Sequence, residues 1–175
     1  LLRRREYYPT AWLPDGVLVL TAGVDVQRDR LECTVYGWGE GKECWAIEHR
    51  VIYGAPDDDT TWCALDAFLS TPRQLQSGAS IPVACTCVDS GDGLFTANVY
   101  RYTKARERSR IFSVKGRGGV GVPFINPPTR GNTAAATLFT LGVDAGKSLV
   151  MSRLAIDEEG PGFVHFPRAE CFDEV

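Results

Sequence analysis

The chain predicts an α/β fold: a mixed sheet, antiparallel in its first three strands and parallel beyond, with helices on both faces. Three observations predict it. Three strand-like runs open the chain, separated by short polar turns; helical and strand-like segments then alternate; and acidic residues close several of the apolar runs.

Taken in order, residues 1–16 (LLRRREYYPTAWLPDG) put their charges directly before aromatic and proline residues. That excludes a secretory signal, which needs an apolar core after its charges. The segment reads as a linker or arm leading in from a preceding region, since residue 1 is not methionine. Residues 17–26, 31–38 and 44–53 are apolar runs with strand composition, separated by QRDR and GEGKE, and form a meander. GAPDDDT breaks the pattern, and TWCALDAFL then sets Trp62, Leu65, Phe68 and Leu69 at helical spacing. After the loop TPRQLQSGAS, IPVACTCVD is a buried strand ending in the glycine-rich turn SGDG. Residues 94–110 read as a helix with Phe95, Val99 and Tyr102 on one face and Arg101, Lys104 and Arg108 on a solvated one. RIFSVKG is a further strand. The Gly/Pro-rich stretch GRGGVGVPFINPPTRGNT exceeds what a compact connector needs, which points to a functional element. LFTLGVD is strand-like, AGKSLVMSRL helix-like, and FVHFP a last short strand. The first strand of the meander and the strand ending at Asp89 are expected to be central, parallel neighbours.

At 175 residues and 44% hydrophobic, the chain can build one sizeable core. No apolar stretch approaches the ~20 residues of a membrane span. A net charge of −3 means that a nucleic-acid partner must be met by a local basic patch. The cysteines, Cys33, Cys44, Cys63, Cys85, Cys87 and Cys171, include no CxxC pair and are joined by two histidines alone, which argues against thiolate zinc and for buried thiols.

Asp25 near the end of a buried run is the chemical signal, because such a carboxylate has to be paired, hydrogen-bonded or metal-bound. Asp89 and Asp144 repeat its setting: AGVDVQ, TCVDSG and LGVDAG each end an apolar run in small or polar residues. In sheets with helical crossovers, sites form beyond the carboxyl ends of the strands. Carboxylates gathered there need cations, and hard oxygen ligands favour Mg²⁺ or Mn²⁺; two such ions serve phosphodiester cleavage. Each acid taken singly is equally explained as a turn former whose side chain satisfies loop amides.

The blocks LTAGVDVQRDRLECTVYGWGEGKECWAIEHRVIYG, CVDSGDG, VYRYTKAR, IFSVKGRGG, LGVDAGKSLVMSRL and GPGFVHFP follow one another from about residue 17 to the end. In sequence and order they closely resemble the nuclease domain of the large terminase subunit of tailed bacteriophages, in the lambda-like group. The resemblance implies a ribonuclease H-like fold over residues 17–175, truncated at its C-terminus. It also implies a two-ion Mg²⁺ or Mn²⁺ endonuclease that cuts concatemeric viral DNA during packaging. Its implied partners are double-stranded DNA, a small terminase subunit, the portal or procapsid and an ATPase domain earlier in the same chain; its implied place is the host cell cytoplasm, with no membrane. Asp25 and Asp89 are then metal ligands and catalytic acids, with Asp144 the third and Asp173, Glu174 and Glu48 its rivals. The chain departs from the family after DSG, where Asp92 and Gly93 stand in place of a histidine or other polar residues. It also has no GxxxxGK[ST]: in GVDAGKS, Gly142 lies four residues before Gly146 where the motif needs five. ATP-driven translocation therefore belongs to another region.

Lys115 ends a strand and Lys147 opens a helix after Asp144, so both are candidates to hold a phosphate. Arg117 and Arg130 bracket the Gly/Pro loop and can grip a DNA backbone without reading sequence. His49 and His165 are expected to pack or make single hydrogen bonds, and Trp12, Trp38, Trp45 and Trp62 to be core or edge aromatics. Two other readings stay open: a non-catalytic docking module of a packaging motor, and a ribonuclease H-like recombination or junction nuclease.

Overall fold

The structure is a computed structural model that describes residues 5–7 and 12–168. Among the described residues, ten strands and three α-helices follow in the order β1 (Arg5–Glu6), β2 (Val19–Val26), β3 (Arg30–Trp38), β4 (Cys44–Tyr53), α1 (Asp59–Ser70), β5 (Arg73–Gln74), β6 (Ser80–Ile81), β7 (Val83–Asp89), α2 (Thr96–Ala105), β8 (Ile111–Arg117), β9 (Leu138–Gly142), α3 (Val143–Leu154) and β10 (Val164–Pro167). Eight of the strands form one sheet in the order β1-β10-β4-β3-β2-β7-β8-β9, and β5 and β6 make a separate small hairpin. β2, β3 and β4 are the antiparallel meander; β7, β8 and β9 add to β2 in parallel. The mixed sheet of a ribonuclease H-like fold is thus present, with β2 and β7 as central parallel neighbours.

Alternation along β2 and β3 creates the core. Leu20, Ala22, Val24 and Val26 of β2 and Leu31, Cys33 and Val35 of β3 are buried on one face, joined by Val88 of β7 and Ile111 of β8. α1 brings Trp62, Leu65 and Leu69 onto this face, and α2 brings Val99 and Tyr102. Each fully buried side chain of this size stabilises the fold by about 1.5–3 kcal/mol. α1 starts where it does because the Asp58 carboxylate accepts the Thr60 N–H at 2.8 Å, satisfying a helix-end donor. α2 is shorter than the pattern suggested: a 3-10 turn, Glu107–Ser109, follows it, and Arg110 takes a left-handed conformation before β8.

The opposite face is less covered. α3 lies on it: its Arg153 guanidinium stands 5.4 Å over the Trp38 ring, and Trp38 Nε1 donates to Thr21 Oγ1 at 2.7 Å. No residue of α3 is buried. Helices therefore flank both faces, but unequally.

Three expectations need correction. Residues expected as an arm are part of the fold, since β1 pairs with β10 and Leu13 is buried against the core. The loop after α1 contains the β5–β6 hairpin. The thiols divide: Cys33 and Cys44 are buried and pushed up to about 12 by burial, whereas Cys63 is exposed and Cys85 and Cys87 are half-buried. Cys171 lies outside the described residues.

His165 is buried and does more than pack. Its Nδ1 faces Glu6 Oε1 at 2.8 Å and its Nε2 faces Glu43 Oε1 at 3.0 Å, while its ring stacks on Trp45 at 4.8 Å. It thereby ties β1, β10 and the turn before β4 into one edge.

Candidate active site

Val24 and Val88 are the last paired residues of β2 and β7, and the next position on each strand is an aspartate. Asp25 and Asp89 are therefore the next residues on two neighbouring parallel strands, and alternation sets both on the face away from α1 and α2. Alternation sets the rest of that face: Thr21 and Gly23 precede Asp25, Cys85 and Cys87 precede Asp89, and Glu32, Thr34 and Tyr36 come from β3. A Cβ on Gly23 would meet nothing within 4 Å, so the sheet beside the acids is open down to its backbone. Cys87, two residues on along the same face, lowers the Cys85 thiol below its ordinary value.

The turn after β7 is built to present Asp89. Buried Ser90 donates both its N–H and its hydroxyl to the Val114 carbonyl, at 2.9 and 2.8 Å, and so fixes the chain across β8. Asp89 Oδ1 accepts the Gly91 N–H at 2.9 Å; a Cβ on Gly91 would press on that carboxylate at 3.2 Å. Asp92 is a turn former, accepting the Leu94 N–H at 3.0 Å. The turn-forming reading of an acid is thus realised at Asp92 and, through one oxygen, at Asp89.

Asp144 is placed apart from this pair. It sits in the first turn of α3, after the edge strand β9, and its Oδ2 accepts the Gly119 N–H at 2.9 Å. Among the described residues no group of three His, Cys, Asp or Glu side chains is arranged to hold one metal ion. The expected trio is therefore an adjacent pair with a separate third acid. Glu48 is excluded as a rival by a bulge: Val35 pairs with Glu48 but Tyr36 with Ala46, which turns Glu48 onto the helix-packed face. There it bonds Arg73 and Arg50, each at 3.1 Å. Asp173 and Glu174 lie outside the described residues.

The basic candidates are dispersed and do not share the acids' place in the sheet. Lys115 and Arg117 alternate with Val114 and so share the side of buried Ser113, opposite to the acids, at the exposed end of β8. Lys147 is exposed on α3. Arg130 stands 3.6 Å from Glu107. The Gly/Pro stretch is in part sheet edge: Asn126 and Thr129 donate to Thr140 and Leu138 of β9, while Val120 near its start is fully exposed.

Sequence reasoning did not single out Glu32, a further acid on this face. Antiparallel register sets it directly across from Asp25, on the other side from Asp89. The signal was the four-residue turn, closed by the Gln27 N–H on the Arg30 carbonyl at 3.0 Å, which fixes that pairing.

A central acid pair on neighbouring parallel strands, open on one side, defines a ribonuclease H-like domain with a polar site at the carboxyl ends of its strands. The chain belongs to the terminase large subunit endonuclease-domain family, whose description reads "Terminase large subunit gpA, endonuclease domain" and which matches residues 1–175. It is 34% identical over 178 residues to the terminase large subunit of Escherichia phage lambda, covering 99% of this chain and 28% of that protein. To the terminase large subunit of Enterobacteria phage P21 it is 32% identical over 148 residues, covering 85% of this chain and 23% of the relative. The chain thus spans about a quarter of the curated relatives it matches. No solved structure matches it significantly.

Proposed function

We propose that this chain is a metal-dependent DNA endonuclease domain that cuts concatemeric viral DNA during genome packaging, hydrolysing phosphodiester bonds at a two-ion site. The observation that supports it is the side-by-side placement of Asp25 and Asp89 on the open face of the sheet centre. Two like charges so near one another favour a bound cation. The donor set fits Mg²⁺ or Mn²⁺: carboxylate oxygens are hard ligands, and Mg²⁺ is commonly held by one or two carboxylates with waters and substrate phosphates completing the shell. Divalent ions bound there would supply an activated water and charge neutralisation at the leaving oxygen.

The protein's own part is placement. Asp25 is held on a central strand, and Asp89 is oriented by the Gly91 N–H and the Ser90 anchor. The open sheet at Gly23 leaves room for a sugar–phosphate backbone beside them. In this reading Asp144 supports the site by fixing the base of the Gly/Pro loop through Gly119. Lys147, Arg117, Arg130 and Lys115 contribute salt-dependent affinity for the DNA backbone. The proposal extends to an ATPase domain in the same full-length chain, a small terminase subunit, a portal or procapsid, and the host cell cytoplasm as the place of action; the relatives' names carry only the terminase large-subunit part of this. No helix among the described residues is long and apolar enough to cross a membrane.

The test is nicking of supercoiled plasmid by this chain with Mn²⁺ or Mg²⁺ added. Cutting is expected with either ion and none in chelator. Cleavage that persists in Asp25→Asn, or calorimetry with no divalent-ion binding, would overturn the nuclease reading in favour of a docking module.

A further inference from the structure

We infer that Val120 is a wedge: a pinned turn at the carboxyl ends of the parallel strands presents it to duplex DNA, where it enters between base pairs near the bond to be cut and unstacks them. This rests on the nuclease reading above and deepens it, by saying what the site does to its substrate.

Between Glu107 and Asp144 the chain has no acidic residue and five basic ones, Arg108, Arg110, Lys115, Arg117 and Arg130. The two acids that bound this stretch both hold it in place. Glu107 accepts the Thr137 N–H at 2.7 Å and stands 3.6 Å from Arg130, and Asp144 accepts the Gly119 N–H at 2.9 Å. In a chain of net charge −3, such a stretch of one sign suits a polyanion. β8 runs on past Val114, the partner of Asp89, to the exposed Lys115 and Arg117. The chain therefore leaves the sheet beyond the carboxyl end of the strand next to that of Asp89.

There Gly119 to Val122 form a turn, closed by the Val122 N–H on the Gly119 carbonyl at 3.4 Å. Gly121 takes φ +78° and Gly119 φ +131°, conformations that favour glycine. Both arms of the turn are pinned. The Asp144 carboxylate holds Gly119 on the way out. On the way back, a Cβ on Gly142 would meet the carbonyls of Val122 and Pro123 at 2.6 Å, and the Gly142 N–H donates to the Phe124 carbonyl at 3.0 Å. The corner residue is Val120, fully exposed. A single exposed valine is ordinary on a surface, but this one stands at the tip of a fixed turn in a basic stretch. A branched apolar side chain offers nothing to phosphate. Its use on DNA is contact with bases, and apolar side chains pushed between base steps unstack them and kink the duplex.

The test needs no knowledge of where the chain cuts. Duplexes carrying 2-aminopurine at successive positions are mixed, with Ca²⁺ in place of Mn²⁺, with the unchanged chain, Val120→Ala and Val120→Leu. Fluorescence of the probe rises when its base unstacks. The unchanged chain and Val120→Leu should brighten it. Val120→Ala should leave it dark, with the salt dependence of binding unaltered because no phosphate contact is lost. Nicking is then timed with Mn²⁺ on a paired duplex and on one with a central mismatch. Val120→Ala should cut the paired duplex about tenfold more slowly, and the mismatched one nearly as fast as the unchanged chain does, since a mismatch unstacks more easily. Its urea midpoint should not move, as is usual for an exposed side chain. An unchanged chain that leaves the probes dark overturns the proposal. So does Val120→Ala that cuts paired DNA at the full rate, or that slows equally on both duplexes. Failure of the parent reading is separate: there Asp25→Asn still cuts, or the unchanged chain binds no Mn²⁺, while the 2-aminopurine signal still decides on Val120.

Discussion

The two faces of the central sheet use the same strands for opposite ends. On the α1 and α2 side, Leu20, Leu31, Val35 and Val88 have no measurable exposure, and Thr103 and Ser113, the polar pair buried there, bond each other at 3.0 Å. On the other side the same strands present Thr21, Gly23, Asp25, Glu32 and Asp89, and the helix on that face, α3, buries none of its residues. One face is closed because apolar surface leaves water most favourably when packing is complete; the other stays open because a carboxylate loses far more by desolvation than it gains by packing. Stability and chemistry are thus separated by one residue of pleat. A side chain can be assigned to one or the other by its parity along β2.

The sharpest way to break that separation is Asp25→Asn. Cleavage of plasmid is expected to fall below detection while the urea midpoint stays where it was; a large fall in the midpoint would mean that Asp25 belongs to the structure and not to the chemistry. Next in size is Leu65→Ala on the packed face. It should cost about 2–5 kcal/mol, as cavities in tight cores do, seen as a lower urea midpoint with unchanged cutting per folded molecule.

A third test concerns acid. The Thr137 backbone N–H, at 2.7 Å, holds the Glu107 carboxylate below its ordinary range, and Glu107 also takes the Thr137 hydroxyl and Lys104. A carboxylate with a depressed folded value contributes fully above the ordinary glutamate value of about 4.3 and loses that contribution as pH falls through the folded one. Glu107→Gln should therefore lower the urea midpoint at pH 7 and converge with the unchanged chain as the pH is taken towards 3. Parallel curves across that window would remove Glu107 as the latch between α2 and β9. The smallest effect is expected from Arg130→Ala, whose ion pair with Glu107 is exposed and worth about 0–1 kcal/mol. Its mark should instead be on DNA, a binding curve whose dependence on salt is shallower by about one ion.

Much of the fold was legible because β2 and β3 are long and alternate cleanly and β4 is a long apolar run. β4 runs over Cys44–Tyr53, the bounds its composition marks, and α1 carries helical spacing. β1, β5 and β6 were not legible, because two residues have no periodicity and each is a strand only through its partner. For the site, Asp25 and Asp89 stood out as acids ending apolar runs. Glu32 did not, because a glutamate on a half-exposed strand looks like an ordinary solvated residue until its register is known. Glu48 looked eligible until a bulge turned it onto the other face.

The amino-acid order by itself determined which residues alternate, where the turns fall and that two acids close central strands. These are local properties, set by side-chain chemistry and a pleat period of two. Which carboxylates become neighbours was decided by tertiary structure alone: strand register brought Asp25 beside Asp89 and Glu32, one bulge turned Glu48 to the other face, and the start of α3 left Asp144 with the loop. The physical reason is that a shift of one residue in pairing moves a side chain to the other face, and pairing is fixed by the packing of the whole sheet.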